Sequence, residues 1–162
     1  MRAEHQRIRM TPSVLDRLLD DKPKESVEAP GQPAFDLQLL KRAVARDLEA
    51  LLNTRSVDLD EEIEQFPQAR TSMLDFGITD LSSLSLLDPD DRSQLRDKIR
   101  LTVERHEPRL GRVRVSLDAP AGNERMLRFR VDAILKAVPS RPPVRFDATL
   151  LLSSNTCQVR DN

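Results

Sequence analysis

Apolar residues recur along this chain with two different periods, and the switch between them divides it. Leu37, Leu40, Val44, Leu48 and Leu51 fall at i, i+3, i+7, i+11 and i+14. That spacing lines one face of a helix that begins at Phe35 or Asp36 and ends near Asn53. A second helix starts at Asp88, which suits the N-cap, with Pro89 at the first helical position and Asp90 and Asp91 against the positive end of the dipole. Asp91, Leu95, Ile99 and Val103 share a face, the last three of them apolar. This helix stops at Pro108, because proline disfavours helical geometry in the residue before it and so makes Glu107 the last residue or the first beyond.

Past Gly111 the period becomes two. Val113, Val115 and Leu117 alternate with Arg112, Arg114 and Ser116, and Leu127, Phe129, Val131, Ala133 and Leu135 form the apolar side of a second strand. Val144, Phe146, Ala148, Leu150 and Leu152 mark a third, and Cys157 and Val159 leave room for a short fourth. A turn at residues 119–123 and a proline-rich bend at 139–143 are short enough for antiparallel neighbours. The predicted fold class is α+β: an antiparallel sheet of three to four strands packed with two main helices on one face. The other face carries Arg112, Arg114, Arg128, Arg130, Arg145, Asp132 and Asp147, a set suited to cross-strand ion pairs.

The N-terminus follows a different plan. Thr11 as N-cap, Pro12 at the first helical position and Val14, Leu15, Leu18 and Leu19 on one face predict a short amphipathic helix over about residues 12–20. So short a helix is marginal alone and needs a surface. Residues 21–33 hold Pro23, Pro30, Pro33 and Gly31 among alternating charges, which reads as a linker. The expected division is a flexible arm, residues 1–33, and a folded domain, residues 34–162. The arm either packs on its own domain or binds a partner, and the spacer favours the partner.

Between residues 54 and 87 the pattern weakens. Ser72 to Gly77 suggests one turn closed by glycine. Asp58, Asp60, Glu61, Glu62 and Glu64 form an acidic cluster without the glycine and ligand spacing of a calcium loop, so it reads as a solvated loop.

Composition narrows the chemistry. With no Trp or Tyr and five Phe, the core is aliphatic and unsuited to stacking sugars or bases, and a net charge of −1 gives no drive toward nucleic acid. A single cysteine, Cys157, and the lack of an apolar N-terminal run fit a reducing cytoplasm without membrane insertion. His5, His106 and Cys157 lie in unrelated regions, so no metal site is expected; the four glycines are scattered, so no phosphate loop is. No cofactor is expected. Glu107 with Asp132 or Asp75 is the best glycosidase pair available, and among 27 acidic residues some pair can always be named. No catalytic residue is assigned. The seam His106-Glu107-Pro108-Arg109-Leu110-Gly111 has two readings: a helix stop with a weak surface ion pair, or a charged contact shown to a partner, where Arg109 would bind a carboxylate bidentately.

Glu107-Pro108-Arg109-Leu110, placed after a helix and before strands reading Val113-Arg114-Val115 and Leu127-Arg128-Phe129-Arg130-Val131, resembles the baseplate wedge family related to phage tail lysozyme-like proteins, in the form that serves bacterial type VI secretion. Ser13-Val14-Leu15-Asp16-Arg17-Leu18, the helix over residues 40–55, and Leu74-Asp75-Phe76-Gly77-Ile78 with Asp80-Leu81 fit the same pattern. The resemblance implies a non-enzymatic subunit that joins the other wedge subunits (TssF, TssG, TssK) and templates the contractile sheath (TssB, TssC), at the inner face of the cytoplasmic membrane. It implies sheath and baseplate contacts at Glu107, Pro108, Arg109 and Leu110, and the arm residues Val14, Leu15, Leu18 and Leu19 are expected to form the wedge contact. Arg109→Glu is then expected to block sheath assembly without unfolding the domain. A peptidoglycan hydrolase serving the same machine is the alternative, and a cytosolic adaptor is a third reading.

Overall fold

The computed structural model describes residues 12–19, 36–57, 65–68, 72–79, 85, 87–119, 126–151, 153–154 and 156–162. Expectations for Thr11, the linker at residues 21–33, Phe35, the acidic cluster at residues 58–64, Asp80 and Leu81, the turn at residues 120–123 and Leu152 lie outside them.

Four strands form one antiparallel sheet in chain order: β1 (Leu110–Leu117), β2 (Met126–Leu135), β3 (Pro143–Leu151) and β4 (Thr156–Asp161). Three helices precede them: α1 (Val14–Leu18), α2 (Leu37–Asn53) and α3 (Pro89–His106). The sheet's buried residues alternate as the period of two requires, and they form one core with Leu40, Val44, Leu48 and Leu52 of α2 and Leu95, Ile99 and Val103 of α3. The fold is α+β, with α2 against β4 and α3 against β1.

Both main helices are capped where the sequence places their starts. The Asp36 carboxylate accepts from the Leu39 amide at 3.0 Å, and Asp88 accepts from Asp90 at 2.8 Å. The apolar stripe of α2 is wider than the predicted one, because Ala43, Ala45 and Leu52 are also buried. The helix touches both β4 and α3, so a single stripe cannot cover its contacts.

Two local departures have a physical cause. In α1 the N-cap is Ser13, not Thr11, and the helix spans five residues instead of about nine. Ser13 and Asp16 form a reciprocal capping box, which satisfies two end groups at once and outcompetes a cap two residues earlier. In β1 the strand begins at Leu110, and Arg112 and Val113 together face Ala133, a bulge that places Arg112 at φ +52°. Leu110 and Val113 are three apart, yet both are buried, and the extra residue absorbs the difference.

Behind α2, a 3-10 turn (Met73–Asp75) leads into Gly77 at φ +115°. A Cβ on Gly77 would sit 2.4 Å from the Thr54 carbonyl oxygen, so the close crossing of these two segments needs glycine.

The outer edge of β4 is covered by α2. Asn53 donates to the Cys157 carbonyl at 2.9 Å and accepts from the Cys157 amide at 2.7 Å, while Glu49 accepts from the Val159 amide at 2.8 Å. Burial, with the Glu49 carboxylate nearby, pushes the Cys157 thiol from 9.0 up to about 12. A raised thiol favours the folded state fully below pH 9, and that contribution is lost as pH rises from 9 toward 12. We expect Cys157 to resist a chromogenic thiol reagent at pH 8 and to react at the rate of unfolding; prompt labelling of the native protein would contradict this burial.

Candidate functional site

The seam between α3 and β1 is built by a missing donor. Pro108 has no amide to continue the helix, so Glu107 becomes the C-cap, with its own amide on the Val103 carbonyl at 2.9 Å. The Leu110 amide then returns to the Glu107 carbonyl at 3.1 Å, and the Lys136 amide meets the Arg109 carbonyl at 2.7 Å to open the β1–β2 ladder. Leu110 is buried in the core and Pro108 is exposed.

Glu107 is 4% exposed and is the one charged residue buried as a whole among the described residues. The weak surface pair that spacing alone suggests is therefore corrected. One carboxylate oxygen accepts from Arg109 Nε at 2.7 Å and from the Arg109 amide at 3.1 Å; the other takes Arg109 Nη2. The same Nη2 reaches Asp47 Oδ2 on α2 at 2.6 Å. A bidentate fork thus ties the helix end to α2. The hydrogen bond to Glu107 raises the Arg109 guanidinium further above its ordinary value; burial opposes this, and Asp47 adds to it.

Beyond Asp47 the alternation of charge continues. Arg46 donates to Asp47 Oδ1 through Nε at 2.9 Å and Nη2 at 2.7 Å, and its Nη2 also reaches Asp16 of α1 at 2.8 Å. Glu107, Arg109, Asp47, Arg46 and Asp16 form one chain of opposite charges across three elements. Burial pushes the Asp16 carboxyl up, but hydrogen bonds from Ser13 and Arg46 outweigh it and leave it below its ordinary value. Arg46 and Asp47, on the charged face of α2, are the bridge between arm and seam.

The arm therefore meets the domain by its polar side. The Asp16 side chain is 7% exposed, whereas Val14, Leu15, Leu18 and Leu19 are 73%, 54%, 76% and 47% exposed. The sequence could not reveal this orientation, since Arg46 lies 30 residues away. The one local signal was the Ser13-x-x-Asp16 capping box.

The nominated carboxylates do not converge on Glu107. Asp75 is held by Arg105 and by His106, whose Nε2 lies 3.0 Å from the Asp75 carbonyl with Phe76 edge-on to its ring. Asp132 lies on the outward sheet face, taking Arg145 Nε at 2.8 Å. Both oxygens of Glu107 are already engaged by Arg109. Among the described residues no cluster of His, Cys, Asp and Glu is placed to hold a metal ion, and no helix is long and apolar enough to cross a membrane.

No curated protein matches this chain. Among solved structures it is similar to a chain of the baseplate complex from the type VI secretion system, at 16% sequence identity over 76% of this chain and 94% of that chain, with a TM-score of 0.49. The family model for baseplate wedge protein gp25 matches residues 38–140, a span that runs from α2 through the α3–β1 seam and past β2. The chain belongs to the baseplate wedge protein gp25 family.

Proposed function

We propose that this chain is a non-enzymatic wedge subunit of a type VI secretion baseplate, of the kind called TssE, in which residues 1–33 form the arm and residues 34–162 the wedge domain. Family membership supports the baseplate role, and the motifs Ser13-Val14-Leu15-Asp16-Arg17-Leu18 and Glu107-Pro108-Arg109-Leu110 support the type VI assignment. The arm joins neighbouring wedge subunits of the TssF, TssG and TssK kind, and the seam receives the first sheath subunits, TssB and TssC. The complex works on the cytoplasmic side of the membrane.

The observation that carries this reading is the inverted arm. A helix that only completed its own domain would turn Val14, Leu15, Leu18 and Leu19 inward, but α1 turns them outward and docks through Asp16. An amphipathic helix shown in this way suits a groove on a partner. Glu107 fits an anchoring role for the same geometric reason, since its fork holds Arg109 toward α2 instead of leaving a carboxyl open to a cleft. A sheath strand that continued the sheet would add at β1 near residues 114–117, because α2 side chains already occupy the β4 edge.

Among the described residues, deleting residues 1–20 removes one part-buried contact, Asp16 with Arg46, and no core residue. The truncated protein is expected to keep its urea midpoint within about 0.5 kcal/mol of the full chain and to lose co-purification with wedge subunits. Undiminished co-purification would sink the arm's role.

A further inference from the structure

The sheet has a second face, and none of the described elements covers it: α2 and α3 both pack on the apolar side. Across the four strands this outward face presents Arg114, Arg128, Arg130, Arg145 and Arg160. Among the described strand residues, only Asp132 and Asp147 answer them. The register sets Asp132 between Arg114 and Arg145, and Asp147 between Arg130 and Arg160.

Each aspartate is already committed. Asp132 takes Arg145 Nε at 2.8 Å, and Asp147 takes Arg130 Nε at 3.2 Å and the Asn162 amide nitrogen at 2.8 Å. Arg114, Arg128 and Arg160 have no carboxylate partner among the described residues, on a chain whose net charge is only −1. The positive charge is segregated here. It is also all arginine, with no lysine facing outward from these strands, and a weakly hydrated planar fork gives up its water for a carboxylate more readily than an ammonium does.

We propose that this bare face docks a carboxylate-rich protein surface, with Arg114, Arg128 and Arg160 as its contacts. The inference goes beyond the baseplate reading and rests on the sheet alone. Neighbouring strands lie ~4.8 Å apart and alternate residues ~6.8 Å apart, so the guanidinium groups form a grid that side-chain carboxylates on an extended segment or helix can match. Nucleic acid fits worse. A net charge of −1 gives the chain no general attraction to phosphates, and it has no Trp or Tyr to stack a base.

The test titrates the full chain with a short peptide in which glutamate alternates with serine, in parallel with duplex DNA, following arginine side-chain signals by NMR. We expect salt-dependent binding that shifts Arg114, Arg128 and Arg160, and a roughly tenfold or greater loss in the triple variant Arg114→Ser/Arg128→Ser/Arg160→Ser. Since these side chains hold no ion pair, the variant should keep the wild-type unfolding midpoint. The control Arg42→Ser/Arg96→Ser, on the helices, should bind as wild type does. Absence of salt-dependent peptide binding, equal loss in the control, or tighter binding of DNA would overturn the proposal. So would stronger peptide binding after Asp58, Asp60, Glu61, Glu62 and Glu64 are made neutral, which would give the face to the chain's own acidic segment.

Discussion

Arg109→Ala is expected to cost about 3–5 kcal/mol of stability, read as a fall in the urea midpoint, because it leaves Glu107 buried and ionised with no counter-charge. Asp47 loses a partner as well but keeps Arg46, so the penalty falls on Glu107. Against a domain stability of roughly 5–15 kcal/mol, the loss is large enough to deplete the folded population. Arg109→Glu, expected from sequence to spare the fold, would bring a third carboxylate beside Glu107 and Asp47, and on this geometry it is expected to destabilise the domain as well. The double variant Glu107→Met/Arg109→Met is the informative partner. Replacing both members of a buried pair with apolar groups is often neutral, so it should recover most of the loss. A cost below about 1 kcal/mol for Arg109→Ala would mean that the pair behaves as a solvated surface contact.

The same pair shows how far the sequence could be read. The helix stop at Pro108 was legible because proline acts on its immediate neighbours, and the period change after it announced the sheet. The alternation in β2 and β3 was legible for the same local reason, and each apolar position named there lies in the core wherever it is described. Two things were not legible. The bulge at Arg112 follows from how Leu110 and Val113 must both reach the core, a demand made by α3 and β2 together. The charge chain depends on Arg109 meeting Asp47 from 62 residues away, and Asp47 meeting Arg46 beside the arm. Nothing in the spacing of a charged helix face separates a bridging residue from a solvated one. What the family resemblance marked as Glu107, Pro108 and Arg109 therefore has a physical counterpart one helix further on, in Arg46 and Asp47.

Phe146→Ala is expected to destabilise the domain by about 3–5 kcal/mol through a wholly different route, the cavity left when the largest fully buried side chain is cut back. Phe146 sits on β3 opposite Val131 of β2, both essentially without solvent contact, and the surrounding aliphatic side chains have few ways to close over the gap. The urea midpoint checks this directly; a loss under about 1.5 kcal/mol would mean that the core collapses to fill the space. The comparison with Arg109→Ala then does what neither variant does alone. Both are weakened by similar amounts, but only Arg109 lies at the proposed contact with the sheath, so at a temperature where both remain mostly folded Phe146→Ala should still support sheath assembly and Arg109→Ala should not. If the two lose assembly in step with their stability, the seam acts by holding α3, β1 and α2 together, and the contact with the sheath lies elsewhere on the molecule.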